Sequence, residues 1–192
     1  FRVPEPLEDL VGIGVVPRLR ITNAASLSGS FVAREVPIYA EGSRGFEVVI
    51  SPSLTLRPTT QLSMEFRHTY SEIHRVKARD LFSRANISRV KTQFQFTRAL
   101  LARVLLQYNL QERVALIDPS TGGQILVEGE IAGPLDSGTV QGQLLASYEP
   151  SPGTIFYIGY SRLEVGPSSY SRAQMEPLAD SFFLKISYLF RL

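Results

Sequence analysis

The chain has 192 residues, 44% of them hydrophobic, no cysteine, and a formal net charge of +2 from 20 Lys plus Arg against 18 Asp plus Glu. The missing thiols exclude disulfide frameworks, thiolate metal sites and cysteine nucleophiles. The small cationic excess behind a pI near 9.0 does not make a nucleic-acid patch. No window holds the roughly 18 uninterrupted apolar residues of a membrane-spanning helix. The sequence starts at Phe1 without an initiator Met or signal peptide and reads as a piece of a longer protein.

In chain order, apolar residues recur at every second position almost throughout, the period of a strand with two unlike faces. Residues 12–22, 26–37 and 46–57 open the series. In 60–72, TQLSMEFRHTYSE, one face takes Leu62, Met64, Phe66 and Tyr70, with His68 as its polar member; Gln61, Ser63, Glu65, Arg67, Thr69 and Ser71 take the other. In 87–98, Val90, Thr92, Phe94 and Phe96 oppose Arg89, Lys91, Gln93, Gln95 and Thr97. In 101–110, Ala102, Val104, Leu106, Tyr108 and Leu110 oppose Arg103, Leu105, Gln107 and Asn109. Residues 139–149 set Val140, Leu144, Ala146 and Tyr148 against Gln141, Gln143, Leu145, Ser147 and Glu149. With 154–162 and 181–192 the count comes to about nine strands, in a range of roughly eight to ten.

These segments exceed the roughly 5–6 residues of soluble strands and match the roughly 9–11 that cross a hydrocarbon layer at a tilt. Short turns at 57–60 (RPTT), 98–100 (RAL) and 150–153 (PSPG) alternate with longer polar loops at 40–45, 73–85, 111–138 and 164–179. The fold class this implies is all-β: one domain over 1–192 forming a transmembrane antiparallel up-and-down β-barrel, or the C-terminal portion of a larger one. A soluble sandwich shares the binary pattern. The barrel is favoured by strand length, by the alternating connections, and by aromatics near strand ends that suit interfacial girdles, among them Tyr70, Phe94, Tyr108, Tyr148, Phe156, Tyr160 and Tyr188. Nine is odd, whereas single-chain bacterial barrels are nearly always even. Either residues 1–10 supply or replace a strand, or the chain belongs to a larger barrel.

Three stretches carry a family resemblance: TQFQFTRALLARVLLQYN (92–109), LLASYEPSPGTIFYIGYSRL (144–163) and DSFFLKISYLFRL (180–192). They resemble the C-terminal barrel of large bacterial outer-membrane proteins of unknown function, in which a periplasmic domain similar to carbohydrate-binding family nine precedes the barrel. The likeness covers roughly the last hundred residues well and the first eighty loosely, through strand and turn patterns without a catalytic signature. It implies the bacterial outer membrane as location. The partners implied are outer-membrane lipids, the barrel-assembly machinery and periplasmic or envelope proteins, with no nucleic acid. The carbohydrate-binding part lies outside this chain, so no sugar ligand passes to any residue.

By parity, the face opposite lipid carries Arg18, Arg20, Glu47, Arg57, Glu65, Arg67, Arg89, Lys91, Arg103, Glu149, Lys185 and Arg191. The lumen-lining residues taken from this set are Arg57, Glu65, Arg67, Arg89, Lys91, Arg103, Glu149 and Lys185. Such a lumen favours anionic or hydroxyl-rich solutes; the competing reading is that the charges cross-pair and fill the interior. The ending, with Tyr188, Phe190 and Leu192 on one face, resembles the signal recognised by barrel-assembly machinery. His68 and Ser71 differ by three positions and face opposite sides, which does not make a nucleophile and base. Loop 118–136, with Asp118, Glu128, Glu130 and Asp136, lacks calcium-loop spacing. No catalytic residue, metal or cofactor is expected. The expected role is a channel or anchor for polar solutes; the alternatives are a structural subunit of an envelope assembly and, more weakly, an outer-membrane lipid esterase.

Overall fold

In the computed structural model the described residues are 9–127, 129–166 and 175–189. They are 71% strand with no helix. The strands are β1 (Gly12–Val15), β2 (Arg18–Arg20), β3 (Ala25–Ser28), β4 (Phe31–Ile38), β5 (Ser43–Ile50), β6 (Ser53–Leu56), β7 (Leu62–Arg75), β8 (Leu81–Gln95), β9 (Leu100–Arg113), β10 (Leu126–Val127), β11 (Glu130–Ile131), β12 (Leu135–Ser151), β13 (Thr154–Gly166) and β14 (Glu176–Tyr188). All but β10 and β11 form one antiparallel sheet of 12 strands, and those two pair as a separate hairpin.

Six of the shorter strands are halves of three longer lines. β1 continues into β2 past Pro17, β3 into β4 past Gly29, and β5 into β6 past Pro52. A proline has no N–H for the ladder, so Pro17 and Pro52 interrupt their own lines, and the break at Gly29 lies between those two prolines. The gaps are bridged by Gly29 N–H to Pro17 O at 3.1 Å, Ser51 N–H to Ser30 O at 2.8 Å and His68 N–H to Pro52 O at 3.1 Å. Joined in this way, the 12 strands make nine lines in up-and-down order, which matches the count read from alternation. The outer edges of the β1–β2 line and of β14 have no ladder partner among the described residues.

The strands run further than alternation suggested, and two expected loops are corrected. The loop at 40–45 shrinks to a turn between Ile38 and Ser43, and the one at 73–85 to a turn between Arg75 and Leu81. Polar residues there marked strand ends that have left the apolar band, not loop. Glu72 sits opposite Arg84 and His74 opposite Leu81, so both stay in the ladder. The connection 114–134 stays long, and residues 167–174 lie outside the described set.

The register divides the sheet into two faces, since directly paired residues share one. One apolar row runs Leu19, Leu27, Leu54, Phe66, Val90 and Leu106. Another runs Leu62, Phe94, Ala102, Ala146, Ile158 and Leu184. This apolar band slides along the strands. At the long-connection end it stops at Tyr160 on β13, which faces Leu144, but continues to Val140 on β12, Leu110 on β9 and Phe46 on β5, which faces His74. Across these four strands each step moves in the same direction, as in tilted strands, while on β8 Ser88 and Asn86, opposite Tyr108 and Leu110, interrupt the band.

The sheet buries almost none of this face against itself. Ile38, Phe82 and Leu116 are the buried apolar residues among those described, and with Ile73, Val114, Ile125 and Ala132 they form a cluster where the 114–134 connection packs on the other face, that of Glu47, which pairs with Ile73. Meanwhile Leu106, Leu144 and Phe182 are exposed by 53%, 51% and 69%. A sandwich of this size packs its apolar face against a second sheet. Here the sheet has one layer.

Candidate functional site

The opposite face carries the polar residues in rows that cross the sheet. One row is Arg18, Ser28, Ser53, Arg67, Arg89, Gln107 and Gln141. Beside it lies Arg20, Ser26, Thr55, Glu65, Lys91, Leu105, Gln143 and Ser161. The next carries Ser63, Gln93, Arg103, Leu145, Gly159 and Phe183. Strand alternation alone puts these charges on a single face.

Adjacent strands β7, β8 and β9 bring Glu65, Arg67, Arg89, Lys91 and Arg103 together. Arg67 and Arg89 are direct cross-strand partners. Like charges in that position repel, so each finds local compensation: Arg67 Nη2 lies 3.0 Å from Glu65 Oε1, and Arg89 Nε donates to Gln107 Oε1 at 2.8 Å. Glu65 faces Lys91 across the ladder but spends its contact on Arg67. Lys91, Arg103, Arg18 and Arg20 make no hydrogen bond or ion pair among the described residues. Mutual neutralisation therefore leaves a cationic field on this part of the face.

The other expected polar-face residues stand apart from that cluster. Arg57 follows β6 at the turn, its N–H donating to Ala24 O at 2.6 Å. Glu149 lies near the end of β12, where its carboxylate is 3.5 Å from Gly153 N. Lys185 is on edge strand β14, its Nζ 6.0 Å from the centre of the Tyr157 ring. Tyr188 ends β14 on the apolar face, opposite Thr154. Phe190, Arg191 and Leu192, like Glu128, lie outside the described residues.

Towards β14 the same face changes character. Leu105, Leu145, Leu163 and Phe183 replace the charges, and a hollow of about 180 Å³ opens where Arg103 meets Leu105, Gln143, Leu145, Ser161 and Phe183. Gly159 makes this shape possible: an ideal Cβ there would come within 2.2 Å of the Phe183 ring, so the ring lies over bare backbone. Sequence alternation flagged Arg103 and set Leu145 on its face, but that Phe183 lines the same hollow depends on register across the two intervening strands, β12 and β13.

A second polar cluster, missed in the sequence, ties the long connection to the sheet. Arg75 Nη2 donates to Glu41 Oε1 at 2.5 Å and Nε to Glu41 Oε2 at 2.8 Å, while Nη1 reaches Asp80 Oδ2 at 2.7 Å. The guanidinium also donates to Ala115 O at 3.0 Å and lies 5.3 Å from the centre of the Phe82 ring. Glu41 Oε1 accepts Ile117 N–H at 3.0 Å. Burial pushes the Glu41 carboxyl upward, but the hydrogen bonds from Arg75 and Ile117 and the guanidinium charge outweigh it and hold the group below its usual range. These residues are far apart in sequence and sit in segments read as loops, which is why alternation gave no signal.

His68 has a partner that the sequence did not indicate. Its Nδ1 lies 2.9 Å from Ser88 Oγ on the adjacent strand, whereas Ser71 faces the other side. The pair satisfies two polar groups on the apolar face, next to a hollow of about 310 Å³ beside Pro52 and Leu54. Among the described residues no three His, Asp or Glu side chains converge as metal ligands do. Comparisons with protein-family models, with curated protein sequences and with solved structures find no match.

Proposed function

We propose that this chain forms the wall of a bacterial outer-membrane β-barrel, with its apolar face towards lipid and its cationic face lining a route for polar solutes. The observation that carries this reading is the inclined apolar band on a single-layered sheet. In water, leaving that band uncovered costs about 25 cal/mol for every Å² of apolar surface. Lipid removes that cost, and a closed antiparallel ladder leaves no backbone group unpaired in hydrocarbon. The terminal alternation through Tyr188 suits a client of the barrel-assembly machinery. In this reading the chain does no chemistry on its solutes.

The free edges favour a larger assembly as the second reading, in which the chain is part of a bigger barrel or an envelope complex. With nine lines, the first and last run in the same direction. Antiparallel closure then takes an odd number of further strands, giving the even total usual in bacterial barrels. An unpaired edge in a membrane demands such a partner.

Planar-bilayer conductance tests the proposal. Purified protein is expected to give steps that favour anions over cations. A bilayer that stays silent with demonstrably inserted protein contradicts the solute route and leaves the anchoring role.

A further inference from the structure

The polar face juxtaposes a cation without a partner among the described residues and an apolar hollow, and that pairing selects a ligand class. Arg103 faces Leu145 across the ladder, and in the same row Gly159 faces Phe183. Its guanidinium makes no hydrogen bond or ion pair among the described residues. Gln143 and Ser161, paired in the adjacent row, add polar groups to the rim. The hollow of about 180 Å³ is roughly the size of cavities that hold one benzene ring. Phe183 leans back over Gly159, so its ring and Arg103 are about two strand spacings apart, roughly 10 Å.

We propose that this hollow binds a small amphipathic organic anion, its carboxylate on Arg103 and its ring or short apolar body between Leu145 and Phe183. A guanidinium holds a carboxylate through two parallel hydrogen bonds, which fixes orientation as well as charge. The apolar walls reject a fully hydrated inorganic anion, because filling the hollow with water forfeits the gain from covering Leu105, Leu145 and Phe183. Charge complementarity comes from the neighbouring Lys91 and the arginine row of β7 and β8. The inference rests on the reading that this face meets water, and it narrows the solute class beyond polar or anionic.

Benzoate is the probe, titrated into the full chain in lipid nanodiscs and followed by saturation-transfer NMR, with benzyl alcohol and acetate as matched controls. Benzoate is expected to bind at least about tenfold more tightly than either, since one lacks the charge and the other the ring. Arg103→Gln should cost about tenfold while Arg103→Lys retains part of the affinity. Gly159→Ala, which displaces the Phe183 ring without touching a charge, should also weaken binding. Lys185→Gln, outside the hollow, should not. Benzoate binding no tighter than benzyl alcohol, or unmoved by Arg103→Gln, overturns the proposal; so does equal loss from Lys185→Gln, which would mean a diffuse field. Benzoate binding without bilayer conductance sinks the solute route but not this site, and conductance without benzoate discrimination does the reverse.

Discussion

The end of the sheet under the 114–134 connection and the wall below it are built on different rules. Around Ile38, Phe82 and Leu116, apolar side chains exclude water from each other, and the Arg75–Glu41 pair is sealed among them with side-chain exposures of 7% and 0%. Along the wall, equally apolar side chains stand in regular rows with no second layer over them. The first region folds as a soluble interior does. In the proposed reading lipid completes the burial of the second.

The contrast can be broken from either side, and the largest effect is expected at the buried pair. Arg75→Ala leaves Glu41 buried with Ile117 N–H and the Ser43 hydroxyl as its remaining donors, and loss of one partner from such a pair costs about 3–5 kcal/mol. The loss should be local: limited proteolysis is expected to cut within 114–134 while the wall stays protected. Cleavage in the wall strands as well would mean that the two regions are one cooperative unit.

Next come neighbouring positions on β9. Leu106→Arg places a charge on the apolar face, at a cost of about 2–4 kcal/mol if that face meets the middle of a bilayer. Leu105→Arg, one residue away on the cationic face, is expected to cost under about 1 kcal/mol. Denaturant titration of vesicle-inserted protein compares them, and equal costs would remove the distinction between the faces.

A smaller effect is expected from acid. The folded Glu41 carboxyl lies below its usual value of 4.5, so its contribution is complete above that pH and fades as pH falls through the depressed folded value. Protection of 114–134 against an acid-active protease should decline in that window, and Glu41→Gln should abolish the dependence. The smallest effect belongs to Lys91→Gln, expected to lower anion preference in bilayer recordings by less than twofold, since several cations share that field.

Much of the wall was legible in the sequence. Alternation reports side-chain direction in a strand, so the Leu62–Tyr70 and Leu101–Leu110 segments came out on the right faces, and with them Glu65, Arg67, Arg89, Lys91 and Arg103 on one surface. Polarity failed as a marker of strand ends, because Glu72, His74 and Arg84 stay in the ladder beyond the apolar band. What alternation cannot carry is contact between distant segments. Ser88 beside His68, the Phe183 ring over Gly159, and the meeting of Glu41, Arg75 and Ile117 all depend on register or on a folded connection. The hollow at Arg103 belongs to that second class, although alternation put Arg103 and Leu105, and Gln143 and Leu145, on the polar face of their strands.

The absence of cysteine gives the central claim its most direct test. Single cysteines placed in turn from Val104 to Leu110 and spin-labelled in lipid vesicles report the phase that each side chain meets. A period of two is expected: Val104, Leu106 and Tyr108 relaxed by oxygen dissolved in lipid, and Leu105, Gln107 and Asn109 by a water-soluble nickel complex. Uniform access to the nickel complex, or a profile without alternation, would contradict it.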